Sequence, residues 1–269
     1  MKKILLFSLV FLFICITGIY SSDIPFWKMN SNQIDQKLKP IFKQNISFED
    51  RVCKIAELRI GTPYKLGPLG EDDERGPVFT TESTDCTVFV LTTLALANRC
   101  TYYNARYMMK YLNYYDPPLS PGNLVRYENR IHFTYDRLHS CKYFSDITSS
   151  LISSECLENV NMILNRQSDG KELLPIKWSK SVSAYYIPMK YIDDKFMQKL
   201  NSDALGVGFV RKKNFKIGVV ISHEGFILNK KNLVHADSIL GKVVKTDFVK
   251  YCKDNSDYFD GVIISSFNF

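Results

Sequence analysis

A chain of 269 residues, 45% hydrophobic with 13 glycines and 10 prolines, is long enough to bury a full core and too ordinary in composition for disorder or a repeat array. Its net charge of +7 is diffuse, without a Lys/Arg cluster and interleaved aromatics to follow a phosphate backbone, so nucleic acid is not an expected partner. Seven irregularly spaced cysteines without a Cys-x-x-Cys argue against a zinc site.

Residues 1–22 run from Lys2-Lys3 through an apolar stretch, Ile4 to Ile16, to Thr17-Gly18-Ile19-Tyr20-Ser21-Ser22, the order of a secretory signal. The stretch is too short for a spanning helix of about 20 residues. The expectation is an exported product, periplasmic or secreted, with no membrane insertion after the signal is removed. Loss of Lys2 and Lys3 would lower the charge from +7 to +5. Residues 23–269 read as one domain, and no disulfide pairing among Cys53, Cys100, Cys141, Cys156 and Cys252 can be deduced.

The first predicted helix covers Gln33 to Lys43, interrupted by Pro40. Ser47 caps a second, with Glu49 and Asp50 in its first turn, Val52, Ile55, Ala56 and Ile60 on its apolar face and Gly61 at its end. Thr62 to Glu71 is a turn-rich loop, and Asp72 to Ser83 an exposed one. From Thr84-Asp85-Cys86 to Asn98 the chain is helix-forming and apolar nearly all round, so this helix is expected to be buried. Ala105 to Tyr115 reads as helix and Asp116 to Gly122 as its stop.

Residues 99–181 contain an insertion expected to shape a cleft, with Tyr127 to His132 extended and Asp136 to Phe144 helical. β-rich segments follow: Val182 to Ile187, Leu205 to Val210, Ile217 to Ser222 running on to Leu228, Leu233 to Asp237, and Gly261 to Phe267. Asn229-Lys230-Lys231-Asn232 makes a hairpin turn, and Thr246 to Lys253 a short helix. Helices first and an antiparallel sheet afterwards give an α+β domain with the Cys86 helix packed on the sheet.

A cysteine in the first turn of a buried helix is a nucleophile candidate, because the helix dipole favours thiolate. It needs a base, and the base needs an orienting partner. If the hairpin pairs Leu228 with Asn232, His235 lies opposite Gly225, two residues from His223 on the same face, within side-chain contact. A register shifted by one would separate them, and two histidines taken by themselves read first as strand histidines satisfied by carbonyls. Arg130, His132 and Arg137 are candidates to line a cleft and bind sugar or carboxylate.

Ile60-Gly61-Thr62-Pro63-Tyr64, Asp85-Cys86-Thr87-Val88-Phe89-Val90, Ser222-His223-Glu224-Gly225-Phe226-Ile227 and Val234-His235-Ala236 resemble, in order and spacing, the NlpC-type papain-like cell-wall cysteine hydrolases. Gly67-Pro68-Leu69-Gly70-Glu71 and the long insertion resemble the N-acetylmuramoyl-L-alanine amidase-like branch. Leu91 and Leu205-Gly206-Val207-Gly208 depart from its usual pattern.

The resemblance implies a papain-like fold with Cys86 as nucleophile, His223 as base and His235 as orienting member. Tyr64 and Asp85 would stand at the oxyanion or substrate. The implied enzyme is a peptidoglycan hydrolase without metal or cofactor, acting as a monomer, that cleaves between N-acetylmuramic acid and L-alanine of muropeptides. An endopeptidase cutting between D-glutamate and the diamino acid, and a wall-binding module without turnover, are the alternatives.

Overall fold

Side-chain caps set the starts of the first helices in the computed structural model, which describes residues 24–68, 79–115, 125 and 127–269. The signal-like segment, Leu69 to Val78 and Asp116 to Leu124 lie outside these residues. Asn30 and Gln33 form a capping box that opens α1 (Ser31–Phe42), and Ser47 and Asp50 form another that opens α2 (Phe48–Leu58). Pro40 does not interrupt α1; it sits in the last turn, where little helix remains to be broken. Ile60 falls beyond the end of α2 and is exposed, not part of its apolar face.

Helix α3 (Cys86–Asn98) is capped by Asp85, and every residue from Val88 to Ala97 is buried. Its apolar circumference requires neighbours on all sides, and α2, α4 (Tyr102–Asn113) and the sheet provide them. Arg59, fully buried at the end of α2, grips α3 by donating from Nη1 to Phe89 O at 2.9 Å, Thr92 Oγ1 at 2.5 Å and Thr93 Oγ1 at 2.7 Å. Burial without a nearby anion pulls its guanidinium down to about 9.

Beyond α4 the structure departs from expectation. Tyr127–Asn129 is a 3-10 turn, not an extended segment, and α5 (Thr134–Ser140) stops before the short strand β1 (Phe144–Asp146). After α6 (Thr148–Leu151), β2 (Glu158–Leu164) pairs along its length with β3 (Lys180–Pro188). Then come α7 (Asp194–Gln198), β4 (Ala204–Val210), β5 (Ile221–Leu228), β6 (Asn232–Asp237), β7 (Lys242–Asp247), α8 (Phe248–Asp254) and β8 (Gly261–Phe267). Residues 212–217 are a 3-10 turn closed by Gly218 in the left-handed region, so β5 starts at Ile221, not Ile217.

All pairings in the sheet are antiparallel, in the order β2-β3-β8-β4-β5-β6-β7, with β1 on β8. The alternation along each strand divides the core in two. Phe226, Leu228, Val234, Ala236 and Ile263 face the first four helices, while Leu205, Val207, Phe209, Ile227, Leu233 and Ile264 face α7 and α8. The central strands are therefore buried on both faces, which explains the unbroken burial of β4. The structure is mixed α and β on an antiparallel sheet, with α3 against β5 and β6.

Candidate active site

Three short main-chain contacts build the wall in front of α3. Tyr64 N–H donates to Gly241 O at 2.8 Å, Lys65 N–H to Thr84 O at 2.9 Å, and Thr84 N–H to Pro63 O at 2.9 Å. Tyr64 is thereby held between the residue before the helix cap and the turn leading into β7. The Asp85 carboxylate completes this frame, accepting from Val88 N–H at 2.8 Å through Oδ1 and from Gly67 N–H at 3.1 Å through Oδ2. Asp85 thus ties the Tyr64 loop to the helix. Burial raises its pKa against the lowering effect of those N–H groups.

Cys86 occupies the first turn, where its own N–H has no carbonyl within the helix to bond. Burial pushes its thiol up to about 12, with the charges of Glu224 and Asp85 acting in the same direction. The Glu224 main-chain N–H acts the other way. Burial at Cys86 thus opposes the thiolate that the helix terminus favours.

The register of the hairpin decides the histidines. Leu228 pairs with Asn232, Ile227 with Leu233 and Phe226 with Val234, which sets His235 over Gly225. A Cβ at position 225 would lie 2.8 Å from His235 Cβ and 2.8 Å from Val234 O, so glycine is what lets the ring approach β5. His223 Nε2 and His235 Nδ1 are 2.8 Å apart. Phe209 and Phe259 stack on His223 at 5.5 and 6.1 Å, and Tyr251 meets the His235 ring edge-on at 4.9 Å.

This apolar box pulls His223 down to about 4 and His235 to about 3 through burial, partly opposed by Asp237. Both rings are neutral at pH 7. His235 Nε2 is buried without a hydrogen-bond partner. Tyr64 is held up to about 12 by burial and then by the Cys86, Asp85 and Asp237 charges, so its hydroxyl stays a donor. Among the described residues no hydrogen bond joins the thiol to His223. Glu224, the next residue on β5, is the link between them.

A buried thiol at a helix start, a hydrogen-bonded imidazole pair on β5 and β6 and a tyrosine before the helix are residue types that acyl transfer uses. The sequence profile of the AmiA-like family, described as N-acetylmuramoyl-L-alanine amidase-like, matches residues 54–261. The chain belongs to this family. The amidase-like chain also shares its fold with solved structures. A protein of Legionella pneumophila aligns at a TM-score of 0.69 and 21% identity over 88% of this chain and 94% of the other. An N-acetylmuramoyl-L-alanine amidase of Bacteroides uniformis aligns at 0.66 and 16% over 82% and 99%. A putative xylanase of Bacteroides fragilis aligns at 0.61 and 20% over 79% and 98%. No curated protein matches the sequence.

In this amidase-like chain the three insertion candidates have separate fates. Arg137 is 1% exposed and its Nη2 donates to Glu224 Oε2 at 2.5 Å, so it cannot line a cleft. His132 pairs through Nε2 with Tyr127 O at 2.8 Å, and its ring lies 4.4 Å from the Tyr127 ring. Arg130 stands over that same ring at 5.3 Å. These two remain half-buried on the segment leading into α5.

Sequence reading missed Glu224, Asp237 and Tyr251 as neighbours of the site. The signal for Glu224 was available: alternation puts it on the same strand face as Phe226 and Leu228, an inward position for a carboxylate. The six cysteines among the described residues are all free thiols. No helix among those residues is long and apolar enough to cross a membrane.

Proposed function

We propose that the chain is a cysteine-dependent N-acetylmuramoyl-L-alanine amidase of papain-like, NlpC-type architecture, exported by residues 1–22 and acting on muropeptides of the cell wall. The observation that carries this reading is the 2.8 Å contact between His223 Nε2 and His235 Nδ1, on the strand whose next residue turns its N–H towards Cys86. Nε2 of His223 being engaged, Nδ1 is the nitrogen that receives the thiol proton.

Cys86 Sγ attacks the lactyl carbonyl carbon as its proton passes to His223 Nδ1. The oxygen that gains charge is met by the Cys86 N–H and the Tyr64 hydroxyl. His223 returns the proton to the nitrogen of L-alanine, the C–N bond breaks, and the peptide leaves. A water, deprotonated by His223, then cleaves the thioester and restores the thiol.

With neutral partners at rest, charge separation occurs only during the reaction, so proton transfer and attack proceed together. Support comes from the family, from the fold and from the His223–His235 pair. The test is acid quenching during turnover of a disaccharide-peptide, followed by peptide-resolved mass spectrometry. A muramyl adduct on the Cys86 peptide is the expected result; an adduct of the stem dipeptide would assign endopeptidase activity, and no adduct together with tight binding would assign a wall-binding module.

A further inference from the structure

Glu224 joins three elements through one buried carboxylate. Its Oε1 accepts from the Thr87 hydroxyl at 2.7 Å on α3 and from the Thr134 hydroxyl at 2.7 Å on α5, and its Oε2 takes the Arg137 guanidinium at 2.5 Å. Thr87 follows Cys86 in sequence, and Glu224 follows His223. Each end of the bridge is thus one residue from a reacting group. Arg137 Nε and Nη1 are buried without hydrogen-bond partners, so this cation's polar contacts are with Glu224 and with Thr134, which Nη2 reaches at 3.4 Å.

We infer that the Arg137–Glu224–Thr87 chain is a positioning device that locks the Cys86 end of α3 to the His223 strand and neutralises the carboxylate charge beside the thiol. The inference rests on the amidase reading for the identity of the reaction, but the device acts on Cys86 itself and can be read without substrate.

Two roles follow from the geometry. The bridge fixes distance, because it ties the side chain after Cys86 on α3 to the side chain after His223 on β5, where most other contacts between the two elements are apolar packing. It also manages charge. Asp85 and Glu224 are the carboxylates that raise the thiol. Tyr64, His223, His235, Asp237 and Tyr251 are the other titratable groups at the site. The Thr87 hydroxyl has one hydrogen and gives it to the carboxylate, a stronger acceptor than a neutral thiol.

The experiment follows alkylation of Cys86 by iodoacetamide across pH, read on the Cys86 peptide, beside kcat and KM on muropeptide. Glu224→Gln keeps the shape, removes the negative charge and leaves Arg137 uncompensated. Its alkylation midpoint should fall by about one pH unit, while kcat falls. Thr87→Val removes the tie and keeps the charge: kcat should drop about tenfold with KM unchanged, and Thr87→Ser should restore it. An unmoved alkylation midpoint in Glu224→Gln, or full kcat in Thr87→Val, overturns the inference. Because Thr87→Val removes a half-buried methyl-sized group's polarity only, it serves where Glu224→Gln proves unstable. If the wild type turns over no muropeptide but the midpoint still falls, the charge role stands and the amidase reading fails.

Discussion

His223 and His235 meet nitrogen to nitrogen at 2.8 Å, and that one contact sets the proton inventory of the site. For His223 Nδ1 to accept a proton, its hydrogen must sit on Nε2 and be donated to His235 Nδ1. The neutral His235 then carries its own hydrogen on Nε2, the buried atom without a partner. An unsatisfied buried donor costs roughly 1–3 kcal/mol. The arrangement keeps His235 neutral and makes it a ring-orienting acceptor rather than a second base.

Replacing His235 by Asn offers an acceptor of shorter reach, and Ala offers none. His235→Ala should lower kcat about a hundredfold and His235→Asn less, with KM little altered, since orientation of the base is needed only in the chemical step. Steady-state kinetics on a soluble muropeptide checks the ranking.

The Tyr64 hydroxyl should act as a donor to the developing oxyanion. Tyr64→Phe is expected to reduce kcat about a hundredfold, in the range found when one such donor is removed. A rise in KM at constant kcat would instead mark Tyr64 as a substrate-holding ring.

Acid should weaken the fold through the histidine pair. Both folded values lie below the ordinary 6.5, His223 at about 4 and His235 at about 3. The unfolded chain therefore binds protons that the folded chain refuses. Their stabilising effect is fully present above pH 6.5 and is lost as pH falls through about 4 for His223 and about 3 for His235, on the order of 3 kcal/mol from His223 alone. Urea denaturation at pH 7.5, 5.5 and 4.5 measures it, and His235→Asn should flatten the dependence. The thiol works in the opposite sense: raised to about 12, it contributes stability that is present below pH 9 and lost as pH rises through 12.

Gly225→Ala should be destabilising by about 1–3 kcal/mol, because the new methyl meets His235 Cβ and Val234 O at 2.8 Å and neither backbone can retreat. Activity should fall further than stability alone explains, since His235 is the group displaced. Thermal denaturation and kinetics on the same sample separate the two.

Asp85→Ala removes a helix cap, at about 1 kcal/mol, and frees the Gly67 end of the Tyr64 loop. Asp85→Asn, which keeps the Val88 bond through its amide oxygen, should recover most of the stability.

Helix α3 and the two histidines were legible because each depends on local pattern: a cap before an all-apolar run, and the period of two along a hairpin whose turn fixes its register. Strand β2 was not legible, since its short mixed sequence, polar in its first half, becomes a strand only by pairing with β3, some twenty residues later. Strand β7 was hidden for a similar reason. Lys242 to Asp247 is half exposed, and its last two residues read as the start of the following helix.

The role of Arg137 was the least accessible. On α5 it looks like a charge facing a cleft, and its partner, Glu224, comes 87 residues later. Periodicity indicates which face is inward but not which buried charge meets which.

The most direct test of the central claim is product analysis by mass spectrometry after incubating a disaccharide-peptide with the reduced wild type, Cys86→Ala and His223→Ala. Free disaccharide and an intact peptide beginning with L-alanine, formed by the wild type and lost in both variants, is the predicted result. Release of that peptide by Cys86→Ala at the wild-type rate would contradict it.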